Sequence, residues 1–394
     1  MDKAQDHINL GTAFLLSKRY DDAIVEFERA LKMNPGDSEV LFQLGVLYTG
    51  VGKYEEGESF YRKSLAINPM SLNTHCKLGL LLDAQGRYDG AVSEFNQCLE
   101  LNPGDAGLRN NLGNIYVKVG RFQEALEQYR RSAQINSSNA EVFFKMGFAH
   151  EQAGELDEAI ASYRKALQIN SRHAAVHAIL GNAYSKKGMY EEAIAAYEAA
   201  LGINPRQPDV PLKLAEACMS LGQYEKALGM LETALSLNPN NPEVYLKMGT
   251  IHASRGNHEE AVRMYKKIME INPNDASVHN VLGYIYDRQG DWEKALGEYR
   301  QARVLNPNDV QVWENLGNLS YKLGRFDEAI EEFEKVIAFN PAHAEAQAKL
   351  GNMYLKKGDK EAAIRHWEKA LALDPQNEVL QSNLKAVRGP KVPR

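Results

Sequence analysis

Apolar residues in this chain follow a pattern that repeats every 34 residues. Numbered within one period, a first stripe falls at positions 4, 7, 8 and 11, and a second falls at positions 20, 24 and 27. In residues 276–309 these positions hold His279, Leu282, Gly283, Tyr286, Ala295, Tyr299 and Ala302. Spacings of three and four residues are typical of the buried face of an amphipathic helix. Each period therefore predicts two helices.

Glycine and proline mark where these helices end. Glycine occupies position 15 in ten of eleven periods, and proline occupies position 32 in nine. Glycine tolerates the left-handed conformation that ends many helices, whereas proline has no backbone N–H to continue one. Position 8 is glycine in ten periods and position 20 is always small, so we expect the two helices to approach closely there. The period thus predicts a helical hairpin.

The hairpins follow one another without a gap over residues 4–377. The predicted units are 4–37, 38–71, 72–105, 106–139, 140–173, 174–207, 208–241, 242–275, 276–309, 310–343 and 344–377. Residues 378–387 place apolar side chains among polar ones and predict a C-terminal capping helix, and residues 388–394 predict a flexible tail. Because a single hairpin cannot bury both of its faces, neighbouring repeats must stack into one elongated array.

The 34-residue period, with its glycines, small residues and prolines, resembles the tetratricopeptide repeat family. This resemblance implies an all-α fold, a right-handed superhelix of eleven helical hairpins. It also implies that the first helix of each hairpin lines a concave groove that binds proteins or peptides.

Composition and charge narrow the possible functions. A net charge of −6 argues against a binder of nucleic acid or anionic membranes, whose affinity would come from a basic surface. No run of 18 apolar residues predicts a membrane span. Three cysteines are too few for a disulfide framework, and the first residues lack the basic start of a signal peptide, so we expect a cytoplasmic protein.

Catalytic motifs are not found in the sequence. There is no nucleotide-binding loop, no paired cysteine motif and no zinc helix, since the run HEEAV at 258–262 lacks a second histidine. Six of the ten histidines fall at positions 4 or 11, which the pattern assigns to packing. We therefore expect no enzyme activity, no cofactor and no metal.

Asparagines are the first candidate for ligand binding. Once the packing positions are assigned, positions 2, 5, 6, 9, 12 and 13 of each first helix remain for the groove. Asparagine is a poor helix former, yet it recurs there at Asn9, Asn110, Asn111, Asn114, Asn182, Asn280, Asn315, Asn318 and Asn352. A side-chain amide both donates and accepts, so such a row could hold the backbone of an extended peptide. The alternative is an inherited repeat consensus on a solvated face.

The asparagines at position 6 are similar to the ladder in the superhelix of O-linked N-acetylglucosamine transferase. The match covers Asn9, Asn111 and Asn315 only, and the other eight units lack this residue. The ladder implied by this resemblance is therefore interrupted.

Apolar and basic groove positions form the second candidate. Phe42, Phe144, Phe148 and Tyr284 could anchor side chains of a partner, or could pack between repeats instead. Five units have lysine at position 6, and in four an acid stands four residues earlier, which predicts local ion pairs such as Asp209 with Lys213. Lys77 is the exception and is the best candidate for an acidic ligand.

These observations favour a non-enzymatic scaffold that binds a protein or extended peptide in its groove. Because no unit has lysine at position 5, we do not expect binding of chaperone C-terminal tails. One alternative is a targeting subunit or fragment of an enzyme, such as a glycosyltransferase or methyltransferase. Another is a self-assembling scaffold with end-on contacts through Ile8, Leu15 and Leu16 of the first unit.

Overall fold

A computed structural model describes residues 3–388, and within this range the chain forms 23 α-helices and no strand. The predicted tail at 388–394 therefore lies outside the described residues except for Arg388. The helices are α1 (Lys3–Leu16), α2 (Tyr20–Met33), α3 (Ser38–Gly50), α4 (Tyr54–Ile67), α5 (Leu72–Ala84), α6 (Tyr88–Leu101), α7 (Ala106–Lys118), α8 (Phe122–Ile135), α9 (Ala140–Gln152), α10 (Leu156–Ile169), α11 (Ala174–Lys186), α12 (Tyr190–Ile203), α13 (Val210–Ser220), α14 (Tyr224–Leu237), α15 (Pro242–Ser254), α16 (His258–Ile271), α17 (Ala276–Gln289), α18 (Trp292–Leu305), α19 (Val310–Lys322), α20 (Phe326–Phe339), α21 (Ala344–Lys356), α22 (Lys360–Leu373) and α23 (Glu378–Arg388).

The chain divides into two compact units, Met1–Leu221 and Gly222–Arg394. In the first unit, α1 to α12 form six helical hairpins, and α13 packs against α12. In the second, α15 to α22 form four hairpins, α14 packs against α15, and α23 packs against α22. Each hairpin contacts the next within its unit. The predicted all-α solenoid of helical hairpins is confirmed.

Capping residues fix the ends of the helices. The residue before most first helices accepts backbone N–H bonds through its side chain, as Asp37 does from Glu39 and Val40 at 3.1 Å. First helices are followed by glycine in the left-handed region, with φ between 70° and 86° at all ten glycines of position 15. This confirms their predicted role. In the first hairpin the same position is Lys18, the only non-glycine residue with positive φ in the described chain.

The buried face of the first helix is wider than the sequence pattern predicted. In α17 the side chains of Val278, Leu282 and Ile285 are buried, which adds positions 3 and 10 to the stripe. A first helix packs both on its own second helix and on the preceding hairpin, as α9 does on α10 and α8. Two contact surfaces require a broad apolar face, which the narrower stripe at 4, 7, 8 and 11 did not include.

The glycine at position 8 lies directly against the ring at position 24. A Cβ atom at Gly147 would be 2.5 Å from Cδ1 of Tyr163, and one at Gly351 would overlap the indole of Trp367. The alanine at position 20, such as Ala159, is fully buried beside them. The close approach of the helices predicted from the small residues is therefore confirmed.

Position 4 connects one hairpin to the loop before it. Four types of side chain in the hairpins reach the carbonyl oxygen of the preceding proline: His75 Nε2 lies 2.9 Å from that of Pro69, and Arg109, Tyr245 and Trp313 make equivalent bonds to Pro103, Pro239 and Pro307. In each case the bond satisfies a loop carbonyl that would otherwise lack a partner. The donor group matters here more than the residue type.

The same position also pairs with position 23 of the second helix. His75 Nδ1 lies 2.6 Å from Glu94, and His7 and His279 make the same pair with Glu26 and Glu298. Both ring nitrogens of His75 and His279 have a partner within the repeat array, and His7 has a partner on Nδ1. In α20, Glu332 lacks such a histidine, because position 4 is Trp313, and it accepts a hydrogen bond from Ser320 at 2.8 Å instead.

The C-terminal helix α23 covers the last hairpin with two of its apolar residues. Leu380 and Leu384 are buried against α22, and Val387 is partly buried. Val379 points away from this contact and is 69% exposed. The buried side therefore has the i, i+4 spacing of one helical face.

Candidate functional site: the face of the first helices

The first helices of consecutive hairpins lie side by side. α3 contacts α5 and α11 contacts α13 in the first unit, and α17 contacts α19 in the second. We call the surface formed by positions 2, 5, 6, 9, 12 and 13 of these helices the first-helix face, of which each compact unit has its own. All of the candidate ligand-binding residues from the sequence lie on it.

A cavity of about 470 Å³ opens on this face between α9, α11 and α13 of the first unit. Its apolar lining includes Phe148, which is 42% exposed, together with Ile179 and Ala217. Its polar lining includes Asn182 and Lys213. The cavity therefore combines an exposed aromatic ring, an amide and a cation over three successive first helices.

Ion pairs between repeats neutralise much of the charge on this face. Lysine at position 13 contacts an acid at position 12 of the preceding hairpin, 35 residues earlier. The pairs are Lys118 with Asp83 at 2.6 Å, Lys186 with Glu151 at 2.5 Å, and Lys322 with Asp287 at 2.7 Å. Reading position 12 together with position 13 of the next unit would have revealed these pairs.

The predicted pairs within one helix are only partly formed. Lys145 contacts Glu141 at 2.9 Å, and the matching lysines of α15 and α21 also have their expected partners. The pair of Asp209 with Lys213 was a wrong prediction. Asp209 is the residue before α13 and lies one turn before Lys213, since its backbone oxygen accepts a hydrogen bond from the Lys213 N–H at 3.2 Å, but the two side chains form no ion pair. Lys213 has no ion pair among the described residues.

Lys77 is exposed on α5. Residues 3–388 provide no acidic partner within ion-pair distance of it. The binding of an acidic ligand by Lys77 stays a prediction.

Asparagines at position 9 accept hydrogen bonds from buried rings at position 24. Asn114 Oδ1 accepts from the hydroxyl of Tyr129 at 2.8 Å, and Asn182 Oδ1 from Tyr197 at 2.9 Å. In α21, Asn352 Oδ1 accepts from the indole N–H of Trp367 at 3.1 Å. The sequence signal was a polar ring 15 residues after the asparagine, which Asn318 lacks because Phe333 stands there.

The other candidate asparagines do not share one hydrogen-bonding pattern. Asn315 donates to Asn280 Oδ1 of the preceding first helix at 2.9 Å and accepts from Gln311, while Asn9 accepts from Gln5. The Oδ1 atom of Asn110 is buried and has no hydrogen-bond partner in the described chain, and its neighbour Asn111 is half-buried. The structure does not join the position 6 asparagines into a continuous row.

The aromatic candidates divide into two groups. Phe42 and Phe144 are half-buried, with ring centroids 6.1 Å from Tyr61 and 5.9 Å from Tyr163, so they contribute to hairpin packing. Phe148 and Tyr284 are exposed, Tyr284 by 54%. Only the second group presents a largely accessible ring.

Two further properties concern the whole of residues 3–388. This part of the chain contains no group of three His, Cys, Asp or Glu side chains placed to hold a metal ion. None of its helices combines the length and the apolar character needed to cross a membrane.

Family models for the tetratricopeptide repeat match most of the chain. Two models described as tetratricopeptide repeat match residues 14–72, 185–248 and 219–285, and residues 280–341 and 315–378. A third, described as TPR repeat, matches residues 82–120, 113–154 and 152–188. The chain belongs to the tetratricopeptide repeat family. This family is in general a non-catalytic module for protein interaction.

Three solved structures with a similar fold match different shares of this chain. A tetratricopeptide repeat protein from Parabacteroides merdae is 22% identical, with a TM-score of 0.46, and the match covers 64% of this chain and 100% of that one. YrrB, described as a TPR protein with an unusual peptide-binding site, is 24% identical, with a TM-score of 0.41 and coverage of 45% and 92%. Yeast Tom70 is 17% identical, with a TM-score of 0.39 and coverage of 98% and 95%. No curated protein matches the chain.

Proposed function

We propose that this protein is a non-enzymatic scaffold that binds a segment of a partner protein on its first-helix face. The observation that carries this proposal is the cavity between α9, α11 and α13. Its volume of about 470 Å³ lies within the usual range of about 300 to 1,000 Å³ for ligand sites. It extends over three helices, which favours an elongated ligand over a compact one.

The charge and burial of the cavity residues support a polypeptide ligand. Phe148 offers an exposed ring for an apolar side chain, and aromatic anchors of this kind dominate many protein interfaces. Glu151 and Lys186 already neutralise each other, which leaves Lys213 and Glu216 as the other charged side chains of the lining; of these two, Lys213 would attract an acidic group. The proposed compartment is the cytoplasm, where the three free cysteines would stay reduced.

Affinity capture followed by mass spectrometry tests this proposal. The tagged protein would be compared with a Phe148→Ala/Lys213→Ala variant, which removes the anchor and the unpaired cation. We expect the variant to lose at least one partner that the unchanged protein retains, with an unchanged circular dichroism spectrum.

The matched control is a Val25→Ala/Lys165→Ala variant. It removes an exposed apolar residue and an exposed lysine from second helices, away from the first-helix face. This control should keep every partner. If both variants retained the same partners, binding on the first-helix face would be disproved.

Self-assembly is a second candidate function. Leu16 at the end of α1 is 81% exposed, while Ile8 and Leu15 are only half-buried against the core of the first hairpin. Light scattering over a wide concentration range would show association that a Leu16→Glu variant abolishes. A monomer at every concentration would exclude this alternative.

A further inference from the structure

The third hairpin brings two cysteines together. Cys76 stands at position 5 of α5 and Cys98 at position 27 of α6, and in the other ten units neither position is cysteine. The two helices pack on each other, and Cys76 packs against the buried cluster that contains Cys98. The pair of thiols is therefore specific to this repeat.

Cys98 has a structural role that does not require sulfur. It is fully buried, and its Sγ atom lies 3.7 Å from the carbonyl oxygen of Leu72 at the start of α5. A serine at the same position makes the same bond in the second hairpin, where the Ser64 hydroxyl donates to the carbonyl of Ser38 at 2.8 Å. A hydroxyl therefore suffices for this bond, and the bond does not explain why Cys98 faces a second thiol.

Cys76 is the more accessible and the more acidic of the two thiols. It is half-buried on the first-helix face. A hydrogen bond from the Cys98 thiol lowers the pKa of Cys76, and the ammonium group of Lys77 also lowers it, while burial and the carboxylate of Asp105 oppose this shift. The same thiol contact and burial raise the pKa of Cys98. Because the thiolate is the form that attacks oxidants, Cys76 is the better nucleophile.

We propose that Cys76 is a site of reversible oxidation by hydroperoxides, with Cys98 as its resolving thiol. The Cys76 sulfur attacks one oxygen of hydrogen peroxide, an S–O bond forms as the O–O bond breaks, and the released hydroxide takes up the thiol proton to give water. The Cys98 sulfur then attacks the sulfenic acid, an S–S bond forms as the S–O bond breaks, and the leaving hydroxide takes the Cys98 proton. Two thiols lose two electrons, and the peroxide is reduced to two molecules of water.

This site is independent of the partner binding proposed above. In a reducing compartment both thiols stay reduced until an oxidant appears, and a disulfide that forms there is transient. Since the two thiols already interact, the bond needs only a movement of the Cys98 sulfur from the Leu72 carbonyl toward Cys76. A dithiol reductant returns both cysteines to their thiol form.

Trypsin separates the two cysteines, so mass spectrometry detects the bond directly. Cleavage after Lys77 and Arg87 leaves Cys76 in peptide 64–77 and Cys98 in peptide 88–109. We expect treatment of the folded full chain with hydrogen peroxide to join these two peptides and to make the chain lighter by two hydrogen atoms. Dithiothreitol should release both peptides.

Two variants assign the roles of the thiols. Cys98→Ser keeps a hydroxyl for the Leu72 carbonyl, as in Ser64, so Cys76 should stop at the sulfenic acid and be labelled by dimedone. In Cys76→Ser, the buried Cys98 should be oxidised at least tenfold more slowly than the pair in the unchanged protein. The matched control is Cys218→Ser, which removes the third cysteine and should form the bond at the unchanged rate.

Several distinct results would overturn the inference. Peptides 64–77 and 88–109 that stay separate, whether the chain gains oxygen or does not react, would show that the pair forms no disulfide. Equal oxidation of Cys98 in the Cys76→Ser variant would show that Cys76 is not the nucleophile. Bonds found only between chains, or only with Cys218, would place the reaction outside this hairpin.

Discussion

Gly283 in α17 offers a direct test of how the hairpins are held together. A Cβ atom added there would lie 2.6 Å from Cδ1 of Tyr299 in α18, a residue that is only 1% exposed. Alanine gains about 1 kcal/mol over glycine in a helix, whereas overpacking a core costs about 1 to 3 kcal/mol. We therefore expect Gly283→Ala to lower the free energy of unfolding, by up to about 2 kcal/mol.

The matched control lies in the same hairpin. A Cβ atom at Gly297 in α18 would have no heavy atom within 4 Å, so only the helix preference acts there. Gly297→Ala should raise the free energy of unfolding by about 0.5 to 1 kcal/mol. Urea unfolding followed by circular dichroism measures both variants against the unchanged protein.

A second background isolates the contact with the ring. The one repeat with alanine at position 8, Ala215, has a leucine, Leu231, at position 24. In a Tyr299→Leu background, Gly283→Ala should therefore become neutral or stabilising. The packing argument is refuted if Gly283→Ala stabilises the unchanged protein, or if its effect is the same in both backgrounds.

Three further predictions follow from buried groups and helix ends. Burial raises the pKa of Glu332 from 4.5 to about 7, so the ionised carboxylate destabilises the fold above pH 7, and this effect disappears below about pH 4.5. Glu332→Gln should therefore raise the free energy of unfolding, measured with urea, by about 3 kcal/mol at pH 8 and by almost nothing at pH 4. Lys18→Gly should stabilise by about 1 kcal/mol, because Lys18 has a φ of 60°, whereas Gly188→Ala should destabilise by a similar amount; equal melting temperatures would contradict this. Asp105→Ala should destabilise by about 1 kcal/mol through loss of the α7 cap, while Asp105→Asn retains most of the stability.

The sequence predicted the hairpins because their ends depend on local chemistry. Glycine at position 15 and proline at position 32 act through their own backbone, so the spacing alone located them. The close approach of the helices at Gly147 and Tyr163 was also predictable, because small residues and aromatic residues recur at fixed positions of the 34-residue period.

The bonds between repeats were harder to predict because each joins residues on different helices. The pair of Lys118 with Asp83 connects positions 13 and 12 of successive units, which look unrelated when each position is counted alone. The orientation of Asn182 depends on a tyrosine 15 residues later. Such contacts need the hairpin geometry before the sequence shows them.

All three tryptophans, Trp292, Trp313 and Trp367, lie in the second compact unit. Intrinsic tryptophan fluorescence therefore reports on residues 222–394 alone, while far-ultraviolet circular dichroism reports on the helices of both units. A single denaturation series followed by both signals would show whether the two units melt together, and no extrinsic label would be needed.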